Sequence, residues 1–377
     1  MMVDFLRLCL DDDFRYRVNL RSEHFINLIR SGYAKNKIIR NEYDKYIYEI
    51  AKSRIKVSGK FSKYNELFFD EYAASYSTPE IPGIYRSKRL KNNDILDLGS
   101  GAGMQDIFFS MNSHVTGIEI DENRYLMSEL NKIPYKSKAE FINGDANNFL
   151  KEFDGIIFSD PLRPGSSMER TVNELIPNPL KIISKYKNKY AFDLPPQMSW
   201  DNIIIPGEKE YISINGKLNR LTVYSMDLSL SASSAVMLPR NLIIRGEPGD
   251  YKFEKTDVKK YIYLPDISII YARLLNEISH YDLGLLNHDQ RRYILTSYNL
   301  YNDFPGEIYR YLFSAHENDL VKKLKENDAK RIFFRFNVDD YYKKKNYIEM
   351  ELNGSRDIYI FKSDDFLIGA EKINFSN

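Results

Sequence analysis

Cysteine and histidine are scarce in this chain. Its 377 residues include one cysteine, Cys9, and five histidines. A single cysteine excludes an intramolecular disulfide, a cysteine-rich zinc site and any mechanism that needs two cysteines. The histidines are scattered without the spacing of metal ligands, so we expect no metal site.

An excess of charge of either sign is also missing. The chain has 54 Lys and Arg residues against 53 Asp and Glu residues, so only local patches can indicate binding to nucleic acid. No apolar run is long enough to predict a membrane span. The leucine-rich stretch from Leu6 to Leu10 is short and runs into three aspartates, which is atypical of a signal peptide. We therefore expect a soluble, cytoplasmic protein.

The length of the chain predicts more than one domain. Residues 1–72 carry apolar residues at helical spacing and no period-2 run, which predicts a helical N-terminal region. Strand and helix patterns alternate over 73–200, and strand patterns prevail over 201–377. The sequence therefore predicts an α/β domain at 73–200, between a helical region and a C-terminal α+β region.

An alternating set of glycines has the pattern of a nucleotide-binding turn. A short apolar run at 95–98 predicts a buried strand, and Gly99, Gly101 and Gly103 follow it directly. Helical spacing then extends over 102–111. Glycine lets the backbone turn sharply and lets a ligand approach the main chain closely.

An acidic residue lies where such a turn needs one. Residues 114–120 read as the next strand and place Glu119 at its carboxyl end. A carboxylate there can accept hydrogen bonds from both ribose hydroxyls of a nucleoside. The simpler alternative is a glycine turn of an ordinary α/β domain, with an acid that caps the next helix.

Strands and helices alternate from residue 94 to about residue 200. The sequence predicts strands at 94–98, 114–120, 139–143, 154–159 and 189–194, with helices at 102–111 and 122–132. This alternation predicts a parallel sheet that binds ligands at the carboxyl ends of its strands. Acidic residues lie at the ends of the second to fifth strands there: Glu119, Asp145, Asp160 and Asp193.

These strand-end residues favour S-adenosylmethionine over a nicotinamide cofactor, which usually requires Gly-x-Gly-x-x-Gly. The glycine loop would pass along the methionine part, Glu119 would hold the ribose, and Asp145 would bond the adenine amino group. Ile120 and Ala146 would lie against the adenine ring. The residues that we expect to bind the cofactor are Thr78, Asp97, Gly99, Gly101, Gly103, Glu119, Ile120, Asp145 and Ala146.

The chain resembles class I S-adenosylmethionine-dependent methyltransferases over about 94–165. More closely, it is similar to members of that family with a THUMP-like domain after the catalytic domain. The segments behind this resemblance are Tyr76-Ser77-Thr78-Pro79-Glu80, Asp160-Pro161-x-Arg163, Tyr261 to Asp266 with Arg273 in the following helix, Gly284-Leu285-Leu286, and Tyr293 to Ser297. The resemblance implies a Rossmann-like sheet, a ferredoxin-like or THUMP-like C-terminal domain, and an RNA substrate.

A second resemblance, to the trimethylguanosine synthases, covers roughly 69–195. It depends on Ser77-Thr78-Pro79-Glu80 and on Phe192-x-Leu194-Pro195. That family has an aromatic residue after the prolines of its fourth motif, which can stack on a methylated guanine. This chain has Leu162-Arg163-Pro164 at that place, which argues against recognition of a methylated guanine cap.

Asp160, Pro161 and Arg163 are the candidate catalytic residues. An oxygen of Asp160, helped by the Pro161 carbonyl, could hold the N–H bonds of an amine and turn its lone pair toward the methyl group. Arg163 could contact a substrate phosphate or a base edge. The alternative for Asp160-Pro161 is an ordinary turn. Methylation at carbon 5 of a pyrimidine needs a cysteine nucleophile, and Cys9 lies outside the catalytic domain, so a nitrogen acceptor is the expectation.

A basic patch lies between residues 35 and 63. Its basic residues are Lys35, Lys37, Arg40, Lys45, Lys52, Arg54, Lys56, Lys60 and Lys63, and its interleaved tyrosines are Tyr43, Tyr46, Tyr48 and Tyr64. Only three acidic residues oppose them. This patch could track phosphates and stack on bases, or it could be the solvated face of charged helices.

The C-terminal region reads mostly as strands. An Asn215-Gly216 turn between two strand patterns predicts a hairpin. We also expect a strand over 236–244, a helix over 266–279, and strands over 331–337 and 356–362. Candidate phosphate contacts, if they are not merely solvated, are Arg331, Arg335 and Lys343 to Lys345.

Together these patterns and the family resemblance predict a methyltransferase that acts on a nitrogen of an RNA nucleobase, in tRNA or rRNA. Two alternatives stay open. One is a methyltransferase of small molecules or proteins whose extra domains only shape a pocket. The other is an RNA-binding protein that binds the cofactor but does not catalyse.

Overall fold

The structure is a computed structural model that describes residues 2–150, 153–162, 171–289, 291–364 and 366–374. The chain forms two compact units. The first comprises Met1–Glu208 and Arg220–Ser229, and the second comprises Lys209–Asn219 and Leu230–Asn377. The chain therefore passes between the units more than once.

The α-helices in the described residues are short, apart from three in the first unit. In chain order they are α1 (Met2–Leu8), α2 (Asp12–Arg30), α3 (Lys35–Ile38), α4 (Glu42–Val57), α5 (Glu71–Tyr76), α6 (Glu80–Arg89), α7 (Met104–Phe109), α8 (Glu122–Tyr135), α9 (Pro179–Lys185), α10 (Ile267–Tyr271), α11 (Leu320–Glu326) and α12 (Tyr341–Glu349). Within the ranges given above, no helix is both long and apolar enough to cross a bilayer.

The strands divide between the two units. In chain order they are β1 (Asp94–Leu98), β2 (His114–Glu119), β3 (Glu140–Asn143), β4 (Ile156–Ser159), β5 (Lys189–Leu194), β6 (Glu208–Ile214), β7 (Lys217–Tyr224), β8 (Ser233–Leu238), β9 (Leu242–Gly246), β10 (Tyr261–Pro265), β11 (Gly284–Asp289), β12 (Arg292–Ser297), β13 (Gly306–Ala315), β14 (Ala329–Phe334), β15 (Arg356–Ser363) and β16 (Phe366–Lys372).

The helical N-terminus predicted from apolar spacing is confirmed. The Asp11 side chain caps α2 by accepting a hydrogen bond of 2.8 Å from the Phe14 amide, as expected of an N-cap aspartate. The buried faces of α1, α2 and α4 share one hydrophobic core with α7 and α8, in which Phe25 and Phe108 are buried. The N-terminal helices therefore belong to the same packed unit as the glycine loop.

A parallel sheet organises the first unit. Its strands lie in the order β3-β2-β1-β4-β5, all parallel, and β7 is antiparallel beside β5. The chain runs outward from β1 to β3 and then returns to the other side of β1 with β4. Ligands of such sheets bind outside the carboxyl ends of the strands where the order reverses, here β1 and β4.

The second unit contains two groups of strands. In one group, β6 is parallel to β8, and β8 is antiparallel to β9. The other is a seven-stranded sheet with the order β11-β12-β10-β13-β16-β15-β14, antiparallel except between β14 and β15. Hydrophobic clusters around Ile332 and around Tyr309 pack against this sheet.

Two predictions for the second unit were wrong in detail. The strand expected over 236–244 is two antiparallel strands, β8 and β9, because the chain reverses at Asn241, which has a φ of 54°. The helix expected over 266–279 ends at Tyr271, because Arg273 has a left-handed φ of 55° that interrupts the helix. The turn residues Asn215 and Gly216 have φ angles of 50° and 72°, as a type I′ turn requires.

Candidate functional site

The loop after β1 is shaped by glycines in the left-handed region. Gly99, Gly101 and Gly103 have φ angles of 109°, 56° and 76°. A Cβ atom at Gly103 would lie 2.6 Å from Cβ of Ser128 and 2.7 Å from Cζ of Phe141, so packing excludes a side chain there. A Cβ at Gly99 or Gly101 would have no heavy atom of the described chain within 4 Å. The first two glycines therefore border open space into which a ligand can come close to the backbone.

Glu119 at the end of β2 is bound to this loop. Its Oε2 accepts a hydrogen bond of 2.8 Å from the Gly101 amide, and its Oε1 accepts one of 2.9 Å from the Asp121 amide. The side chain is buried, yet each carboxylate oxygen has a further lone pair for a ribose hydroxyl. The structure thus brings Glu119 and the glycine loop together, and its contact with a ribose stays a prediction.

The end of β3 lies next to the end of β2. Asn143 pairs with Glu119, and its Nδ2 donates to the Glu119 carbonyl at 2.9 Å. Asp145 is exposed and Ala146 is half-buried. Ile120 is 74% exposed, so it offers an apolar surface that an adenine ring could cover. The glycine loop, Glu119 and this apolar surface fit an adenosine-containing cofactor.

Asp97 of β1, predicted as a cofactor residue, is buried and paired with another acid. The neighbouring acid is Asp106 of α7, a residue that the sequence analysis missed. Burial, together with the neighbouring carboxyl, raises the pKa of Asp97 well above its ordinary value, and burial raises the pKa of Asp106 to about 7. A contact between Asp97 and a cofactor stays a prediction.

This carboxyl pair predicts a pH dependence of stability. Because folding raises the pKa of Asp106 from 3.8 to about 7, the stabilisation is fully present below about pH 4 and is lost as the pH rises toward 7. An Asp106→Asn variant removes the ionisable group at this position with little change in the size of the side chain. Between pH 5 and pH 8 we expect its melting temperature, measured by circular dichroism, to rise by several degrees relative to wild type, since 1 kcal/mol corresponds to about 2–4 °C.

The control for this prediction is Asp94→Asn at the exposed start of β1. That variant removes a carboxyl from the same strand without touching the buried pair, so its pH profile should parallel the wild-type profile. Parallel profiles for Asp106→Asn and wild type would show that the pair does not share a proton.

Asp160, at the carboxyl end of β4, is held by an arginine from another strand. Its side chain is 43% exposed, and its Oδ2 accepts a hydrogen bond of 2.9 Å from Nη1 of Arg220 in β7. In the described part of the chain, Oδ1 accepts none. The Nη2 of Arg220 donates to the Tyr76 carbonyl and to Oγ1 of Thr78, both at 3.2 Å. Partial desolvation raises the pKa of Asp160, and the Arg220 guanidinium opposes the rise.

A buried ion pair between Arg86 and Asp193 lies next to the contact of Arg220 with Asp160. Arg86 of α6 is completely buried and donates hydrogen bonds to Asp193 and Gln105, and a longer one of 3.3 Å to Oγ1 of Thr78. Asp193 also accepts a bond of 2.6 Å from the hydroxyl of Thr222. Buried charges persist when they are paired and hydrogen-bonded, and here two arginines balance two carboxylates.

Thr78 therefore lies in the same network as Asp160, which the sequence did not indicate. Pro161 is buried directly after Asp160, and Arg163 lies outside the described residues. Sequence reasoning also missed Arg86 and Arg220. Arg220 offered no signal, because it is 60 positions away from Asp160 and no short motif spans that separation.

Most basic side chains of the patch at 35–63 are exposed, but one of them is buried. Arg54 is fully buried, where it donates to the Leu67 carbonyl and to the Asn19 side chain, and burial lowers its pKa to about 9. Tyr46, Tyr48 and Tyr64 pack against the hydrophobic core. Arg54 and these tyrosines therefore serve the packing of the N-terminal helices, whereas most lysines of the patch face solvent.

Two patch lysines nevertheless contact the end of α5. Lys56 is exposed, and its Nζ lies 2.6 Å from Oγ of Ser75. Lys60 donates to the Ala74 and Ser75 carbonyls at 2.9 and 2.6 Å. The carbonyl of Tyr76, the last residue of α5, binds Arg220. These two cations therefore lie in the same part of the first unit as Asp160.

The C-terminal basic candidates are mostly neutralised by acids. Arg331 makes two bonds to Asp357 at 2.6 and 2.7 Å. Three further ion pairs join Arg335 to Glu307, Lys344 to Glu317, and Lys345 to Glu349. These pairings weaken the case that the same side chains bind phosphates.

The first unit has the fold of the class I S-adenosylmethionine-dependent methyltransferases. The strand order, the glycine loop after β1 and the acid that ends β2 are features of doubly wound sheets that bind nucleotides. Among solved structures, a candidate methyltransferase from Porphyromonas gingivalis W83 is similar over 97% of this chain and 99% of its own, with a TM-score of 0.71 and 17% identity. At that identity the likeness shows the fold alone.

Two other solved structures match only parts of this chain. A methyltransferase from Pyrococcus furiosus covers 46% of this chain and 97% of its own, with a TM-score of 0.36 and 16% identity. The 16S rRNA N2 G1207 methyltransferase of T. thermophilus covers 41% and 45%, with a TM-score of 0.30 and 16% identity. Neither score supports an argument about function. No protein-family model and no curated protein matches the sequence.

Proposed function

We propose that this protein is an S-adenosylmethionine-dependent methyltransferase that modifies a nitrogen of an RNA nucleobase. The observation that carries the proposal is the setting of Asp160. It is a partly exposed carboxylate on the strand adjacent to β1, and the glycine loop after β1 leaves open space for a cofactor.

The cofactor-binding residues would be those that surround this loop. Gly99 and Gly101 would let S-adenosylmethionine approach the backbone, Glu119 would bond the ribose, and Ile120 would cover one face of the adenine. When bound, the cofactor supplies a methyl group on a positively charged sulfur. The remaining task of the protein is to align an acceptor with that group.

Asp160 would align the acceptor. Its Oδ2 is held by Arg220, which leaves Oδ1 to accept a hydrogen bond from an amine N–H and so to direct the nitrogen lone pair. The raised pKa of this carboxyl suits it to take the proton that the nitrogen releases on methylation. The carbonyl of Pro161 could accept a second N–H bond.

Aromatic and basic groups near Asp160 favour RNA over a small metabolite. Tyr72 and Tyr76 on α5 are 41% and 64% exposed, and their ring centroids lie 4.6 Å apart. Burial raises the pKa of Tyr72 and the Asp160 charge adds to the rise, so this ring is within electrostatic range of Asp160. Exposed rings with a nearby cation such as Lys56 are typical of surfaces that bind unpaired bases and their phosphates.

Each of the three regions of the chain would have its own role. Residues 73–200 would hold the catalytic centre, 1–72 would support it, and 201–377 would present RNA in the manner of a THUMP-like domain. The mostly antiparallel sheet of the second unit, with α11 and α12 between its strands, is compatible with a ferredoxin-like or THUMP-like module.

The test is methyl transfer by the purified full chain. Tritiated S-adenosylmethionine is incubated with tRNA, rRNA, a metabolite extract or a protein extract from cells that lack the gene, and labelled RNA is digested to nucleosides for mass spectrometry. We expect label in one RNA pool and an N-methylated nucleoside. Label only in metabolites or proteins would support the rival enzyme, and cofactor binding without transfer to any pool would support a non-catalytic protein.

Tyr76 provides a sharper test of the RNA assignment. A Tyr76→Ala variant loses a stacking surface, so we expect KM for the RNA to rise roughly 5- to 150-fold, the equivalent of about 1–3 kcal/mol per stacked base. Tyr76→Phe should restore binding because it keeps the ring. Tyr16→Ala is the matched control, since Tyr16 on α2 is also 64% exposed. An equal effect of the Tyr16 and Tyr76 variants would argue against a stacking role.

A further inference from the structure

Arg220 connects three parts of the candidate site that are distant in sequence. One guanidinium nitrogen bonds Asp160 after β4, and the other bonds Tyr76 at the end of α5 and Thr78 between α5 and α6. Arg220 itself lies on β7, whose residue Thr222 pairs with Asp193 of β5. An arginine fork suits this arrangement because it presents fixed, diverging donors.

Neighbouring residues on β7 and β5 fix the position of Arg220. Residues two apart on a strand point to the same face, so Arg220 and Thr222 lie on one side of β7. The Thr222 hydroxyl bonds Asp193, and Asp193 in turn binds the fully buried Arg86. Nη1 of Arg220 lies 3.9 Å from Asp193, so this buried carboxylate attracts both arginines.

We infer that Arg220 is a positioning residue for Asp160 in the proposed methyl transfer. By holding Oδ2, it fixes the rotation of the carboxylate and leaves Oδ1 directed at the acceptor. It also opposes the rise in the pKa of the carboxyl group, because a cation at 2.9 Å favours the charged form. The Tyr76 and Thr78 contacts couple this orientation to the segment that leads into α6.

The inference rests on the proposed function, and the test separates the two. Arg220→Met removes the charge and the donors, and Arg220→Lys restores the charge without the fork. The matched control is Lys217→Met, which deletes an exposed cation from the same strand. For each variant we would measure the melting temperature, the affinity for S-adenosylmethionine, kcat for RNA and the pH profile of kcat. The titration of Asp160 would be followed by ¹³C-carboxyl NMR, with the resonance assigned from its absence in Asp160→Asn.

For Arg220→Met we expect kcat to fall by roughly 10- to 100-fold, as for a misplaced catalytic group, with the affinity for S-adenosylmethionine unchanged. Both the acidic limb of its pH profile and the Asp160 titration should move to higher pH. Arg220→Lys should reverse the pH shift and recover only part of kcat. Lys217→Met should behave as wild type.

The outcomes are distinct. The inference would be overturned if Arg220→Met folds and its Asp160 titrates as in wild type. It would also be overturned if wild type is active and Arg220→Met has the same kcat. Should Arg220→Met not fold, an Arg220→Lys variant with full kcat and an unaltered pH profile would overturn it equally. If wild type transfers no methyl group to RNA while the NMR shift occurs, the proposed function fails and the control of Asp160 by Arg220 stands.

Discussion

An Asp160→Ala variant is expected to lose methyl transfer by at least about 100-fold while it still binds S-adenosylmethionine. The cofactor would be held by the loop after β1 and by Glu119. Among the described residues, neither the loop nor Glu119 makes a hydrogen bond to the Asp160 side chain. The acceptor would lose the oxygen that orients its nitrogen. A loss of 100-fold corresponds to about 2.7 kcal/mol of transition-state stabilisation.

Calorimetry with S-adenosylmethionine and single-turnover methyl transfer measure the two parts of this prediction separately. Asp160→Asn should retain more activity than Asp160→Ala, because the amide oxygen can still accept an N–H bond, although it cannot take up a proton as a carboxylate does. Asp154→Ala is the matched control, since Asp154 is an exposed aspartate just before the same strand. Full activity of Asp160→Ala would mean that Asp160-Pro161 is an ordinary turn.

The elements around the glycine loop could be predicted because their signals are local. Apolar runs bounded by glycines and acids predict buried parallel strands, and the observed β1 and β5 begin and end where the pattern indicates. The acid at position 119 follows from the geometry of a strand end, and the structure does bring it to Gly101. Each of these inferences uses residues that are close in sequence.

The polar network could not be predicted, because its partners come from distant elements. Arg220 and Arg86 meet Asp160, Asp193 and Thr78 only once β5 and β7 pair and α6 packs on the sheet. No periodicity distinguishes these arginines from solvated ones. Asp106 likewise has the sequence position of an ordinary acid in the first turn of a helix, yet it is buried against Asp97.

The basic patch shows the opposite error at one position, Arg54, where composition suggested a surface cation that packing buries. Arg54 has the spacing of a surface cation on α4, but its guanidinium bonds the Leu67 carbonyl inside the helical core. Charge counts treat all cations alike, although burial decides whether a cation can reach a phosphate. Lys56 keeps its exposure, and only the folded chain shows that it lies beside α5.

Alanine substitutions at two glycines of the loop after β1 are expected to have different effects, although the chemical change is the same. At Gly103 a methyl group would lie 2.6 Å from the side chain of Ser128. The alanine would also have to keep the left-handed φ of this position. Overpacking costs about 1–3 kcal/mol and the left-handed conformation about 1–2 kcal/mol. We therefore expect Gly103→Ala to lower the free energy of unfolding by about 2–5 kcal/mol.

At Gly101 the methyl group would face open space, so only the left-handed conformation should lower stability, by about 1–2 kcal/mol. The same methyl group would occupy the space through which the cofactor is proposed to approach the backbone. Gly101→Ala should therefore stay folded and bind S-adenosylmethionine at least about tenfold more weakly, the effect of about 1.4 kcal/mol.

Chemical denaturation and calorimetry of the two variants distinguish these effects. Gly59→Ala is the control, because Gly59 also has free space around its Cα, lies outside the loop and has no left-handed φ. If Gly101→Ala is stable and binds S-adenosylmethionine like wild type, the space beside this loop is not the cofactor pocket, and the proposed position of Asp160 opposite a bound cofactor fails with it. If Gly101→Ala and Gly103→Ala lose stability equally, packing requires glycine at both positions.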